Sequence, residues 1–260
     1  MGIPFWWSMH YNDTKISAGW KDKCEIMEKR KRLHGLDLIR GITLLSMIAY
    51  HGTWNLVYLF GVDLPWSDGL PGHIWQQSIC WTFILLSGFC FPMGSKPLKR
   101  GLTIFAGGAL VSVVTIFVMP ENLILFGILT FTGSAMMLMV PVEKLLRKVP
   151  AIMGLVAAMA LFFFFRNWQA PAWLYRNLLT AYLGFPTQAF VSMDYFPILP
   201  WIFLFVAGYF LNRILKARGW DEKLFTRGNV PVLNWLGRHT LPIYLIHQPV
   251  LYGLCLLIFR

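Results

Sequence analysis

Runs of about eighteen or more residues with scarcely a charge recur along this chain, and they limit its fold more than any other feature. Hydrocarbon offers no water to bond backbone amides, so a spanning segment must satisfy them internally as a helix or close into a barrel. Barrel strands alternate polar and apolar positions, and these runs do not. Only 13% of residues are charged and 57% are hydrophobic, whereas soluble domains carry about a quarter charged residues. The expected fold is therefore all-α, a polytopic membrane helix bundle of about seven transmembrane helices. They are read at roughly 36–60, 73–93, 102–118, 123–141, 150–166, 196–213 and 240–259. The first apolar run is longer than a signal-peptide core and no A-x-A site follows it, so no cleavable leader is expected.

A formal net charge of +11 invites a nucleic-acid reading, but the cations sit in connections between spans. Residues 1–35 hold seven Lys and Arg, "SKPLKRG" three, "VEKLLRKVP" three and 213–239 six. The alternating connections hold none at 61–72, none at 119–122 and two at 166–195. This bias at every crossing sets orientation: N-terminus cytoplasmic, C-terminus outside, no nucleic-acid partner. Residues 1–35 form a basic cytoplasmic segment in which Trp6 and Trp7 suit the headgroup zone, and 36–260 form the transmembrane domain. The segment 172–192, interrupted by Arg176 and Pro186, reads as an interfacial helix on the outer surface. The outer connections are rich in Trp, Tyr, Asp and Gly, which suits either an aromatic belt or a surface for a polyhydroxy ligand.

Within the first run, "LDLIRGITLLSMIAYHGTWNL", four polar residues stand out: Asp37, Arg40, His51 and Asn55. At ~100° per residue, Arg40 and His51 fall within ~20° of one helix face and roughly 16 Å apart along it. Met47 and Asn55 extend that stripe, and Asp37 lies one turn from Arg40. Intramembrane ionisable residues ordinarily face a bundle interior or a water-filled cavity. A cation near the cytoplasm suits a phosphate, and an imidazole three turns outward suits proton or acyl transfer. The blander alternative has Arg40 snorkelling to headgroups and His51 bonding a neighbouring helix.

Elsewhere, Cys24, Cys80, Cys90 and Cys255 show no metal or disulfide spacing. Neither H-E-x-x-H nor G-x-S-x-G occurs, and no metal is expected. "MGSKP" lacks the rest of a P-loop, so Lys96, Lys99 and Arg100 read as topology residues, with contact to an anionic ligand as the alternative. Ser87-Gly88 and Gly107-Gly108 read as sites of close helix packing. In the last run, His247 and Gln248 precede Pro249, which removes one rung of the helix ladder. His247 reads either as a structural residue or as a polar contact to a ligand, and Arg238 with His239 lies at the inner start of that run.

"LDLIRGITLLSMIAYH", "FGILTFTGSAMML" (126–138), "DYFPILPWIFLFVAGYFL" (194–211) and "LGRHTLPIYLIHQPVL" (236–251) occur in this order. Together they resemble the bacterial heparan-α-glucosaminide N-acetyltransferase-like membrane proteins, within the transmembrane acyltransferases that include the acyltransferase-3 group. The likeness spans about 36–260 and omits the lead-in. It implies an integral protein of the bacterial cytoplasmic (inner) membrane. Acetyl would pass from cytosolic acetyl-CoA to an extracytoplasmic glycan or amino-sugar acceptor, with lipid around the bundle and an oligomer permitted. The matched motifs put Asp37, Arg40 and His51 in the first-span signature, His247 with Gln248 in the last span, and Asp194 with Tyr195 at the outer mouth. Asn55, on the first-span stripe, and Arg238, which can meet CoA phosphates or lipid headgroups, join Asp37, Arg40, His247 and Gln248 as candidate donor contacts. Many relatives carry His after "GIL", where this chain has Thr130, and the animal lysosomal branch places a reactive His in the outer loop, where this chain has His73. The catalytic imidazole is thus His51 or His73, and Asp194 reads either as a cap or loop solvation group or as a second acid or base. The residues by themselves also leave room for a small-solute or proton-coupled transporter, or for a noncatalytic subunit.

Overall fold

The computed structural model describes residues 33–174 and 176–259; most of the basic lead-in, with Trp6, Trp7 and Cys24, lies outside them. Among the described residues all regular structure is helical. The order is α1 (His34–Tyr58), α2 (Leu70–Cys90), α3 (Pro97–Val118), α4 (Ile128–Leu146), α5 (Ala151–Asn167), α6 (Leu178–Leu183), α7 (Ile198–Ala217), α8 (Trp220–Phe225), α9 (Pro231–Arg238) and α10 (Thr240–Ile258). Five helices are long and apolar enough to cross a membrane: α2 with its extension to Met93, α3, α4, α7 and α10. α5 is apolar but has 17 residues, while α1 has 25 residues and carries the polar stripe. The chain is an integral membrane helix bundle.

Two packed groups build the bundle. In one, α2, α4, α5 and α7 enclose Ile84, Phe131, Phe162, Leu204 and Phe205. In the other, α1 packs on α2, α9 and α10 around Leu44, Met47 and Ile79. Lipid tails are as apolar as the helices, so packing here comes from close fit, and small residues permit it. A Cβ on Gly88 of α2 would lie 1.9 Å from the Phe205 carbonyl oxygen, and one on Gly208 of α7 would lie 2.1 Å from that of Leu85. The same device joins α9 to α1: a Cβ on Gly237 would come within 1.9 Å of the Asp37 carbonyl oxygen, and one on Gly41 within 2.1 Å of that of Leu233. The short amphipathic α9 is thereby clamped beside the Asp37–Arg40 end of α1.

Two expected elements are redrawn. The span read at 123–141 is helical from Ile128 to Leu146, through Pro141. Residues 123–127 cannot join the helix because their backbone pairs with 192–196. Met193 N–H donates to the Leu123 carbonyl (3.0 Å) and Phe196 N–H to that of Phe126 (2.8 Å). Leu125 N–H also donates to Ser192 Oγ (2.9 Å). Phe126 turns the chain at a left-handed φ of 57° immediately before α4. The interfacial helix read over 172–192 shrinks to six-residue α6. Asn177 and Thr180 form a capping box at its start, and Gly184, at φ 125°, ends it.

Candidate active site

The polar stripe of α1 is turned toward neighbouring helices. At its first end Arg40 Nη1 donates to Asp37 Oδ1 (3.0 Å), and Nη2 to the Cys90 sulfur of α2 (2.8 Å). The Arg40 side chain remains 28% exposed, so two bonds orient it without sealing it. Arg100, in the first turn of α3, joins this end. It lies in electrostatic reach of Cys90 and Arg40, and its Nη1 is buried with no hydrogen-bond partner among the described residues. That nitrogen sits 1.6 Å from where a Cβ on Gly94 would stand, so only glycine leaves it space. Two guanidinium groups around one thiol, one holding an unspent buried donor, form a receptor suited to a phosphate. Arg238 closes α9 nearby but is exposed, one residue beyond the Gly237 contact with Asp37.

Three turns along, His51 meets α10. Its ring centroid lies 4.9 Å from that of His247 and 5.8 Å from that of Tyr50. Tyr50 in turn packs edge-on to Trp75 of α2, whose indole donates to Ser46 Oγ (2.8 Å) and fixes α2 against α1. His247 is 7% exposed, packs at a tilt against the Tyr244 ring (5.2 Å between centroids) and bonds the Tyr244 carbonyl oxygen through Nδ1. One turn beyond His51, buried Asn55 and Gln248 exchange long amide contacts of 3.4 and 3.5 Å. The structure therefore brings His51, Asn55, His247 and Gln248 together, with Asp37 and Arg40 on the same helix.

Asp194 stands at the other end. Its carboxylate accepts from Ile128 N–H (3.1 Å) and caps α4. A helix N-terminus favours the charged form, yet burial outweighs it and raises the carboxyl to about 6. Burial likewise pushes the Tyr195 phenol upward, and its hydroxyl donates to the Ala181 carbonyl. Asp194 also lies in electrostatic reach of Tyr244, whose ring packs against His247. His73 is exposed at the start of α2, away from the His51–His247 pair. Thr130 is buried against Gly108 of α3, where an added Cβ would lie 2.5 Å from its Oγ1. Sequence reasoning gave no role to Cys90 or to Tyr244, although Tyr244 lies within the 236–251 segment. Arg100 reads from sequence first as a topology residue and only second as a ligand contact.

No group of three or more His, Cys, Asp or Glu side chains among the described residues is arranged to hold a metal. Residues 32–249 match the family model described as "Heparan-alpha-glucosaminide N-acetyltransferase, catalytic". That range contains every residue named in this site. No curated protein and no solved structure gives a match.

Proposed function

The chain belongs to the heparan-α-glucosaminide N-acetyltransferase catalytic family, and from that premise we propose that it carries acetyl groups from acetyl-CoA across a membrane to a sugar or amino-sugar acceptor. The observation that carries this reading is the single polar line on α1, anchored by two arginines at one end and by an imidazole pair about three turns away. In this reading the donor's phosphates rest against Arg40 and Arg100 on the cytoplasmic side. The buried, unpartnered Nη1 of Arg100 supports that assignment, since such a donor gains a charge-assisted bond when an anion arrives. The pantetheine arm then follows α1 past Met47, and amide groups of Asn55 and Gln248 orient the thioester beside His51.

His51 serves as general base or transient acetyl carrier. In direct transfer the acceptor's amine or hydroxyl attacks the thioester carbon, the new C–N or C–O bond forms, and the C–S bond breaks. The acceptor's proton leaves through His51 and ends on the CoA thiolate. Through the carrier route, His51 nitrogen takes the acetyl group first and the acceptor removes it. Asp194 is assigned to the acceptor side as a second acid or base, because a carboxyl held near 6 exchanges protons at neutral pH. Seven spans are proposed, α1 and α5 crossing with the five other long apolar helices, and the charge bias favours Arg40 at the cytoplasmic face.

The test is purified protein in detergent or vesicles with isotopically labelled acetyl-CoA and candidate amino sugars, followed by mass spectrometry. Labelled acetyl on an amino sugar is expected. Protein that neither binds CoA nor moves label would overturn the assignment.

A further inference from the structure

His247 was read from sequence only as a structural residue or a donor contact; its hydrogen bonding says more. A main-chain carbonyl oxygen only accepts, so the contact between His247 Nδ1 and the Tyr244 carbonyl fixes the proton on Nδ1. A neutral imidazole then carries its lone pair on Nε2. That nitrogen is buried and meets no hydrogen-bond partner among the described residues. The residue is 7% exposed, so water does not readily satisfy it. A buried acceptor left open is costly, and a purely structural histidine would relieve that cost by turning elsewhere. The neighbour that can use this lone pair is His51, whose ring centroid lies 4.9 Å away.

We propose that His247 is the positioning residue and proton acceptor for His51, the two imidazoles acting as a pair. This role rests on the acetyl-transfer reading, and it operates in either route. When His51 attacks the thioester carbon, a C–N bond forms, the C–S bond breaks, and the acetylated imidazolium carries one excess proton. When His51 instead takes the acceptor's proton, it again becomes imidazolium. In both cases the excess proton moves from the far nitrogen of His51 to Nε2 of His247, and from there returns to the departing thiolate. Atoms and charge balance, and no further reactant is needed. Tyr244 supplies the carbonyl that locks the tautomer and the ring that packs against it.

Two substitutions divide this role from a structural one. The amide nitrogen of Asn overlays Nδ1, so His247→Asn retains a donor to the Tyr244 carbonyl and deletes the base. Gln reaches the Nε2 position instead. Expected for His247→Asn is a kcat about 10²–10⁴-fold lower, with KM and CoA affinity unchanged and thermal unfolding near that of wild type. A His247→Asn protein with wild-type kcat would overturn the role, and so would a rise in KM with kcat unchanged. Should that variant fail to fold, nitrogen NMR of 15N-histidine-labelled protein, assigned through His247→Gln, decides the matter without any activity. An Nδ1–H, Nε2-unprotonated imidazole is expected; an Nε2–H tautomer sinks the inference. Wild-type protein that transfers no acetyl overturns the proposed function and this role with it, an outcome distinct from active enzyme with the wrong tautomer.

Discussion

Replacing Asp194 by Asn separates two duties that one carboxyl combines: capping α4 and exchanging a proton. The amide oxygen of Asn still accepts from Ile128 N–H, the 3.1 Å bond that ties 194 to the start of α4. What disappears is the ionisation. Burial raises the folded-state carboxyl from 3.8 to about 6, against the opposing pull of that backbone N–H. The folded chain therefore holds this proton more tightly than the unfolded chain does. The resulting stabilisation is whole below about pH 4 and is lost as pH rises through about 6. A difference of about two pH units corresponds to about 3 kcal/mol. Thermal unfolding in micelles, at one fixed scan rate, should show wild type losing stability between about pH 4 and pH 6 and no further loss from this group above it. Asp194→Asn should lack that slope, match wild type below about pH 4 and exceed it above about pH 6. Identical slopes for the two proteins would refute the buried-carboxyl argument. Acetyl transfer by the same variant should fall about 10²–10⁴-fold if the carboxyl exchanges protons with the acceptor. Full transfer would leave Asp194 as a cap alone.

Three further outcomes are expected. Arg40→Ala and Arg100→Ala should each weaken CoA binding by about one to two decades, from a charge-assisted contact of about 1.5–3 kcal/mol; isothermal titration with CoA checks this, and unchanged affinity in folded protein returns both to packing roles. His51→Ala should cost transfer about 10²–10⁴-fold while CoA remains bound, and His73→Ala should leave transfer intact; the reverse pattern in a labelled-acetate assay moves the chemistry to the α2 end. A single Cys at position 68 should react with an impermeant maleimide in intact cells, whereas labelling only after lysis would invert the orientation argued from charge.

Much of this protein is determined by the sequence alone, because hydrophobic length and helical period are local quantities. Apolar runs near twenty residues have no option in lipid but to close their own hydrogen bonds, so the all-helical membrane bundle was legible before any contact was known. The α1 stripe was legible for the same reason, since residues eleven apart return to one face whatever surrounds them. Which groups meet that stripe was not legible. Cys90 and Arg100 reach Arg40, and His247 reaches His51, only because α2, α3 and α10 approach at particular depths. Those depths follow from close contacts such as Gly88 on Phe205 and Gly237 on Asp37. The start of α4 escaped for a related reason. Residues 123–127 are apolar enough to read as helix, but bonds to Ser192, Met193 and Phe196 claim their backbone from about seventy positions away. Local pattern sets what each segment can be in a bilayer. Long-range packing decides which lone pairs and charges face one another, and in this chain that juxtaposition makes the site.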